Sequence, residues 1–291
     1  RNGRGTKKAL NDSVTKHQNN DQQEMGNMNK ISKLLGLAVC TLGLSLLAQS
    51  VSANVLKDII KRGELRVAVQ TQGPPVSFID KNGERTGFAI EVVKMMAKDM
   101  GVELKLLDYD WKGLIPAVNS KKADFLAADM TPTAKRTLVL SFTEPYLYSD
   151  VVLYSKKTQP FKKWQDACQP GVSIGVVQGS SNVGLLKTKC PDSKIKEFAG
   201  GGAAVAQAVA ADRVDAGIND FASASGYMLD YTDFHILDGA PKRWPLSFAT
   251  RPEETHLLRW MDNYFMLIRN DGRLDELADY WMRGPVWKKD H

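Results

Sequence analysis

The sequence has little histidine and little cysteine, four and three residues among 291. No histidine stands near Cys168 or Cys190, so the ligand spacing typical of a zinc site is missing. From residue 54 onward there is also no basic run, since 32 basic and 30 acidic residues leave a net charge of +2. A nearly neutral chain of this kind has no electrostatic footprint for nucleic acid. We therefore expect no metal, no cofactor and no nucleic-acid partner.

Long apolar stretches are also scarce, and the one from Leu34 to Leu47 has distinctive flanking residues. Two lysines precede it, and small residues at 51–53 close it. This three-part pattern is typical of a secretory signal peptide, which predicts cleavage before Asn54. Two alternatives stay open. One is a membrane anchor, for which the stretch is short, and the other is lipidation at Cys40, where the preceding Val39 is large.

Once Cys40 has left with the signal peptide, Cys168 and Cys190 remain as an even pair in an exported chain. Such a pair favours a disulfide, because exported proteins fold in an oxidising environment. Two buried thiols are the alternative.

What the sequence does contain, from Asn54 onward, is an alternation of β-branched runs and helical patterns, which predicts an α/β fold. Gly63 and Gly101 mark expected helix ends, since glycine readily adopts the left-handed conformation. The patterns also predict an extended segment over 76–79 and a helix over 111–120.

Two polar segments follow predicted strands of the later part. Gly179-Ser180-Ser181-Asn182 comes after the apolar run 172–177, and Asn219-Asp220 comes after 216–218. In open α/β sheets, ligands bind beyond the carboxyl ends of the strands. These side chains are therefore candidate ligand contacts.

Several short motifs occur in order along the chain. They are Gly63-Glu-Leu-Arg-Val, Pro74-Pro-Val-Ser-Phe-Ile-Asp-Lys-Asn-Gly83, Gly87-Phe-Ala-Ile-Glu91, Trp111-Lys-Gly-Leu-Ile-Pro-Ala117, Lys122-Ala-Asp124, Met130-Thr-Pro-Thr-Ala-Lys-Arg136, Ser141-Phe-Thr-Glu-Pro-Tyr146, Val177-Gln-Gly-Ser-Ser181 and Arg213-Val-Asp-Ala216. Together they resemble the periplasmic solute-binding proteins of polar amino-acid ABC transporters, bacterial extracellular solute-binding protein family 3. The ordered set covers nearly all of 54–291.

The resemblance implies an α/β, two-lobed periplasmic-binding-protein fold of type II, with two hinge strands and a central cleft. It divides the chain into a disordered extension (1–27), a signal peptide (28–53), lobe 1 (54–149 and 246–291) and lobe 2 (150–245). The function it implies is not enzymatic. The protein would bind a small amino-acid-like solute in the periplasm and deliver it to an ABC permease by closing the cleft.

The resemblance also implies how the ligand carboxylate is held. Arg136 matches the arginine that clamps it, and the planar guanidinium suits two parallel hydrogen bonds. The backbone N–H of Thr131 and the turn at Ser180 and Ser181 would complete the site. The alternatives are a surface arginine and serines that only cap a helix.

Asp220 matches the aspartate that pairs with the ligand ammonium, with a turn-capping role as the alternative. Trp111 is either a wall of the pocket or part of the lobe 1 core. Met130 and Gln70 complete the expected ligand contacts.

Two positions depart from the family pattern. Gly73 stands where many relatives have an aromatic ring, so that wall is missing or supplied from elsewhere. Asp129 stands where relatives usually have serine or glycine. Its carboxylate either pairs with Arg136 or meets a second positive group on the ligand, and the second option would favour a basic amino acid.

Two other functions stay open. The same fold resembles cyclohexadienyl dehydratases, for which Asp129 could be the acid if burial raised its pKa. The third possibility is a ligand-sensing module that works with a receptor.

Overall fold

Residues 54–70, 73–284 and 286–291 are described by a computed structural model. Asn54–His291 forms a unit of its own. The expected extension over 1–27 and signal peptide over 28–53 lie outside the described residues.

Helices and strands alternate in the first part of this unit, as the sequence pattern predicts. In chain order they are α1 (Val55–Arg62), β1 (Glu64–Gln70), β2 (Phe78–Ile79), β3 (Arg85–Thr86), α2 (Phe88–Met100), β4 (Glu103–Tyr109), α3 (Leu114–Asn119), β5 (Phe125–Met130), α4 (Ala134–Thr137) and β6 (Ser141–Phe142). A 3-10 turn over Trp111–Gly113 precedes α3.

The second part begins with a long strand and ends with two helices. Its elements are β7 (Leu147–Lys156), β8 (Ser173–Val177), α5 (Ser181–Lys189), β9 (Lys194–Phe198), α6 (Gly201–Ala210), β10 (Ala216–Asp220), α7 (Phe221–Asp230), β11 (Phe234–Ile236), β12 (Lys242–Thr250), α8 (Thr255–Asn270) and α9 (Arg273–Trp281). Two further 3-10 turns cover Trp164–Ala167 and Val286–Lys289.

The strands follow the order β4-β1-β5-β12-β7-β10-β8-β9, while β6 pairs with β12 and β11 with β7. β4, β1 and β5 are parallel, as are β10, β8 and β9. The two parallel groups are joined by the antiparallel pair of β7 and β12, from Leu147↔Leu246 to Val151↔Lys242. These two strands thus connect two α/β halves. The predicted lobe limits at 149/150 and 245/246 fall inside them and stay a prediction.

Each half has a core of its own. In the first, Tyr146 stacks on Phe88 and Phe265, with ring centroids 5.0 and 5.7 Å away. In the second, Tyr154 stacks on Phe234 at 5.9 Å. The two halves therefore bury separate aromatic clusters.

Local sequence sets several element ends. α1 ends at Gly63 (φ 70°), whose N–H donates to the carbonyls of Ile59 and Ile60, and α2 ends in the same way at Gly101 (φ 68°). Both ends agree with the prediction.

Two predicted elements differ from the structure. The helix expected over 111–120 opens as a 3-10 turn because Pro116 lacks an N–H, and its ring would clash with the carbonyl of Lys112 in a continuous α-helix. The extended segment expected over 76–79 forms a strand only at Phe78–Ile79, because Val76 lies in a turn, with its N–H donating to the carbonyl of Gly73, and Ser77 makes an isolated bridge to Gly73.

Cys168 and Cys190 form a disulfide with their Cα atoms 4.5 Å apart, as predicted from the sequence. Cys168 follows the turn Trp164–Ala167, and Cys190 is the C-cap of α5. The bridge therefore fixes the end of α5 against the segment before β8.

We expect the double variant Cys168→Ala/Cys190→Ala to lose about 3 kcal/mol of unfolding free energy, because the bridge closes a loop of 22 residues in the unfolded chain. Urea denaturation of both proteins measures the loss. Wild type treated with a reductant is the control and should unfold like the variant. Equal midpoints for the oxidised wild type and the variant would contradict the prediction.

Candidate functional site

A cavity lies between the two halves, at the carboxyl ends of parallel strands. Gln70, Val177 and Asp220 are the last residues of β1, β8 and β10, and all three line it. The cavity contains about 600 Å³ of space, part of it open to solvent. It is lined by Gln70, Gly73, Trp111, Asp129, Thr131, Ser149, Val151, Val177, Ser180, Ser181, Asn182, Gly202, Asn219, Asp220, Ser223, Tyr227, Trp244 and Leu246.

Most of the side chains expected at the site reach this cavity, but Met130 does not. Met130 is 1% exposed and packs in a core cluster with Leu126 and Leu140. Neighbouring residues of a strand point to opposite faces, so Asp129 can face the cavity only if Met130 faces the core. The structure thus corrects the expectation for Met130.

Arg136 lies beside the cavity, buried at 9% exposure in the short helix α4. Its Nη1 donates to the carbonyl of Thr131 at 2.9 Å, and its Nη2 donates to the carbonyl of Gly179 at 3.3 Å. The guanidinium carbon is 5.6 Å from the centroid of the Trp111 ring. Arg136 is therefore not a surface arginine, and it joins the two halves through Gly179.

Ser180 and Ser181 begin α5 at the rim next to Arg136. Ser180 occupies the N-cap position, but its side chain makes no cap hydrogen bond. Its Oγ is inaccessible to solvent and has no hydrogen-bond partner among the described residues. The first N–H groups of a helix are also without intrahelical partners, so this corner offers donors to an anion.

Asp129 has fewer hydrogen-bond partners than Asp220, the other carboxyl of the site. Its Oδ1 is inaccessible and lacks a hydrogen-bond partner among the described residues. Within the same residues, no ion pair of 4.0 Å or less joins it to Arg136. Burial raises the pKa of Asp129 to about 7, with a further contribution from the negative charge of Asp220 and a smaller opposing one from Arg136. The internal pair considered from the sequence is thus absent from the described structure.

Asp220 has a different environment. It is the N-cap of α7, and its Oδ1 accepts from the N–H of Ser223 at 3.1 Å. The Oγ of Ser223 lies 3.1 Å from Asp220 Oδ2 and 2.9 Å from the carbonyl oxygen of Pro74. Burial raises the pKa of Asp220, while the bonds from Ser223 oppose the shift. Asp220 therefore caps a helix and also presents a carboxyl to the cavity.

The walls combine expected and unexpected residues. Trp111 lines the cavity and also packs against a lobe core, so both of its considered roles are present. A Cβ added to Gly73 would lie 2.5 Å from Gln70 Oε1. The amide of Gln70 thus occupies the space beside Gly73, where the sequence lacks an aromatic ring.

Sequence reasoning missed Ser149 and three other polar or aromatic lining residues, which make side-chain hydrogen bonds at the site. Tyr227 of α7 accepts from Asn219 Nδ2 at 3.4 Å, and Trp244 Nε1 donates to Asn182 Oδ1 at 3.1 Å. Ser223 is the third. Only Ser223 had a local signal, because a serine three residues after an N-cap aspartate suits a helix start.

No group of three or more histidine, cysteine or acidic side chains is placed to share a metal ion within the described ranges. Over the same residues, no helix has the length and apolar character needed to span a membrane.

Residues 65–284 match the model of the bacterial extracellular solute-binding proteins, family 3. The arginine-binding extracellular protein of Bacillus subtilis is 27% identical over 262 residues, which are 88% of this chain and 99% of that protein.

Two solved structures share the fold. An ancestral amino acid-binding protein, described as a precursor of cyclohexadienyl dehydratase, superposes with a TM-score of 0.73 at 32% identity, over 79% of this chain and all of its own. The binding component of an ABC transporter from Wolinella succinogenes, solved with lysine, gives 0.73 at 30% identity, over 78% and 99%. The predicted two-lobed type II fold is therefore confirmed. Because the family model covers most of the chain, this protein belongs to the bacterial extracellular solute-binding proteins, family 3.

Proposed function

We propose that this protein binds an amino acid with a cationic side chain in the periplasm and delivers it to an ABC permease. The observation that carries the choice of ligand is the carboxyl of Asp129, which lines the cavity and, among the described residues, forms no ion pair of 4.0 Å or less with Arg136. Relatives named for arginine binding and a relative solved with lysine support the same class. Cleavage before Asn54, which removes residues 1–53, would release the mature protein into the periplasm.

The charges suggest one orientation of the ligand. Its α-carboxylate would lie at the corner formed by Arg136, the N–H of Thr131 and the start of α5, where donors converge. Its α-ammonium would pair with Asp220, and its side-chain cation would pair with Asp129. Each ligand charge then meets an opposite charge, as binding in a water-poor cleft requires.

Closure of the cleft follows from the division of these contacts between the halves. Asp129 and Arg136 come from the first half, whereas Asp220 and the start of α5 come from the second. A ligand that bridges both stabilises the closed arrangement, which a permease can then distinguish from the open one.

The ligand class is tested by calorimetry of wild type and Asp129→Asn against arginine, lysine, glutamine and glutamate. We expect Asp129→Asn to weaken arginine and lysine by about a hundredfold, because the side-chain cation loses its partner in a buried site. Glutamine, which lacks that cation, should change by only a few fold.

Asp110→Asn is the matched control, since Asp110 is an exposed aspartate next to Trp111. It should leave all affinities unchanged. Tight binding of glutamate by wild type without any binding of a basic amino acid would contradict the proposed ligand class.

A dehydratase-type enzyme is the second candidate, and Asp129 is also the observation that favours it. A carboxyl with a pKa of about 7 can protonate a departing hydroxyl group near neutral pH. Incubation of the protein with prephenate and arogenate tests this role. Formation of an aromatic product by wild type, and its loss in Asp129→Asn, would establish the enzyme.

A further inference from the structure

The two carboxyl groups of the cavity have an unusual hydrogen-bond balance. Asp129 Oδ1 is inaccessible and unpartnered among the described residues, although Arg136 is in the same region. The Nη1 and Nη2 of Arg136 donate to the carbonyls of Thr131 and Gly179 rather than to Asp129. An ionised carboxylate in this position would bear a buried charge that Arg136 compensates only in part, which is unfavourable.

Ser223 gives a second, independent indication. Its Oγ lies within hydrogen-bond distance of two acceptors, the carbonyl oxygen of Pro74 at 2.9 Å and Asp220 Oδ2 at 3.1 Å. A hydroxyl group has a single hydrogen, so Ser223 can donate a good hydrogen bond to only one of these two acceptors. If Asp220 holds a proton, Asp220 donates to Ser223 and Ser223 donates to Pro74, and all three groups are satisfied.

The other titratable groups that face the two carboxyls keep their protonation state near neutral pH. Tyr146 and Tyr227 adjoin the pair, and burial raises the pKa of each well above its ordinary value, so both remain neutral. Arg136 remains a cation throughout this range, because its ordinary pKa is far above neutral. Among the described residues that line the cavity, the charge therefore changes at Asp129 and Asp220.

We propose that this cavity is a proton–cation exchange site: without ligand the Asp129–Asp220 pair holds one proton, and a ligand with a cationic side chain expels that proton to solvent on binding. The ligand class rests on the proposed function. A ligand with a cationic side chain adds a net charge of +1 to the cavity and the departing proton removes one positive charge, so the buried charge is the same in both states. An amino acid with a neutral side chain gives no reason for the proton to leave.

The exchange makes selectivity depend on pH. Below the pH at which the pair loses its proton, arginine must displace it, so its affinity should rise by up to about tenfold per pH unit and level off above about pH 7. Citrulline matches arginine in shape but has a neutral ureido group. Its affinity should change little over the same range, so the preference for arginine should grow with pH.

The direct test counts the protons. Arginine and citrulline are titrated into wild type by calorimetry at pH 6.5, in phosphate and in imidazole, which both buffer at this pH and differ in ionisation enthalpy. The difference in observed heat gives the number of protons released. We expect about three quarters of a proton for arginine, because a carboxyl with a pKa of about 7 is mostly protonated at pH 6.5, and close to none for citrulline. Asp129→Asn should abolish the release, Asp129→Glu should restore it, and Asp110→Asn should leave it unchanged.

The possible outcomes distinguish a failure of the proton exchange from a failure of the proposed function. Arginine binding without proton release, and with an affinity that is flat from pH 5.5 to 8.5, would overturn the exchange and leave the proposed function intact. Failure of every amino acid to bind would overturn both. If Asp129→Asn does not fold, the comparison of arginine with citrulline in wild type still decides.

The pH dependence of thermal stability tests the proposal in the unliganded protein. A raised pKa means that folded Asp129 keeps a proton which the unfolded chain releases between about pH 4 and 7. Stability from this group is therefore present at low pH and is lost as pH rises through that window. The melting temperature of wild type should fall more between pH 5 and 8 than that of Asp129→Asn, and parallel curves would overturn the proposal.

Discussion

Arg136→Ala should lower the affinity for the amino-acid ligand by about a thousandfold, or about 4 kcal/mol. The side chain is buried, and its guanidinium is held by the carbonyls of Thr131 and Gly179. Its remaining N–H groups can then form two parallel bonds to a carboxylate without further ordering. The substitution also removes the hydrogen bond to Gly179 that joins the two halves. Calorimetry with arginine measures the loss.

Two further variants separate charge from geometry at this position. Arg136→Lys retains the positive charge but loses the planar guanidinium that donates two parallel hydrogen bonds. Its affinity should therefore lie between those of wild type and Arg136→Ala. Lys135→Ala removes the neighbouring cation, which is exposed, and should bind like wild type. A folded Arg136→Ala that binds with unchanged affinity would show that the ligand carboxylate is held elsewhere.

The strand ends of the site could be predicted because they depend on local sequence. Apolar runs followed at once by polar residues predicted Ser180 after β8 and Asp220 at the carboxyl end of β10, and both line the cavity. Strand alternation would also have excluded Met130, since Asp129 was assigned to the cavity. The expectation for Met130 was wrong because the motif from Met130 to Arg136 was assigned to the site as a whole. The alternation of side chains along the strand already indicated that Met130 faces the core.

Other features could not be predicted because they depend on residues distant in the sequence. The hydrogen bond from Arg136 to Gly179 spans 43 positions, and the one from Trp244 to Asn182 spans 62. No local pattern indicates that these residues meet. The unpaired state of Asp129 is of the same kind, because it follows from how Arg136 is held by two backbone carbonyls.

Asp220→Asn should reduce the affinity by about a thousandfold while leaving most of the stability. The side-chain amide oxygen of this variant can still accept from the N–H of Ser223 and cap α7, because asparagine is as good an N-cap as aspartate. What the variant loses is the negative charge opposite the ligand ammonium. Calorimetry with arginine and thermal unfolding of the same samples measure the two effects separately.

Asp220→Ala removes both the charge and the cap, and so separates the two roles of this residue. It should bind as poorly as Asp220→Asn, but with about 1 kcal/mol less unfolding free energy, the usual contribution of an N-cap. If Asp220 were only a helix cap, the affinity would follow the stability, and Asp220→Asn would bind like wild type. Near-normal binding by Asp220→Asn would therefore remove the ammonium partner from the proposed site, whereas weak binding by a stable Asp220→Asn would establish that the charge itself holds the ligand.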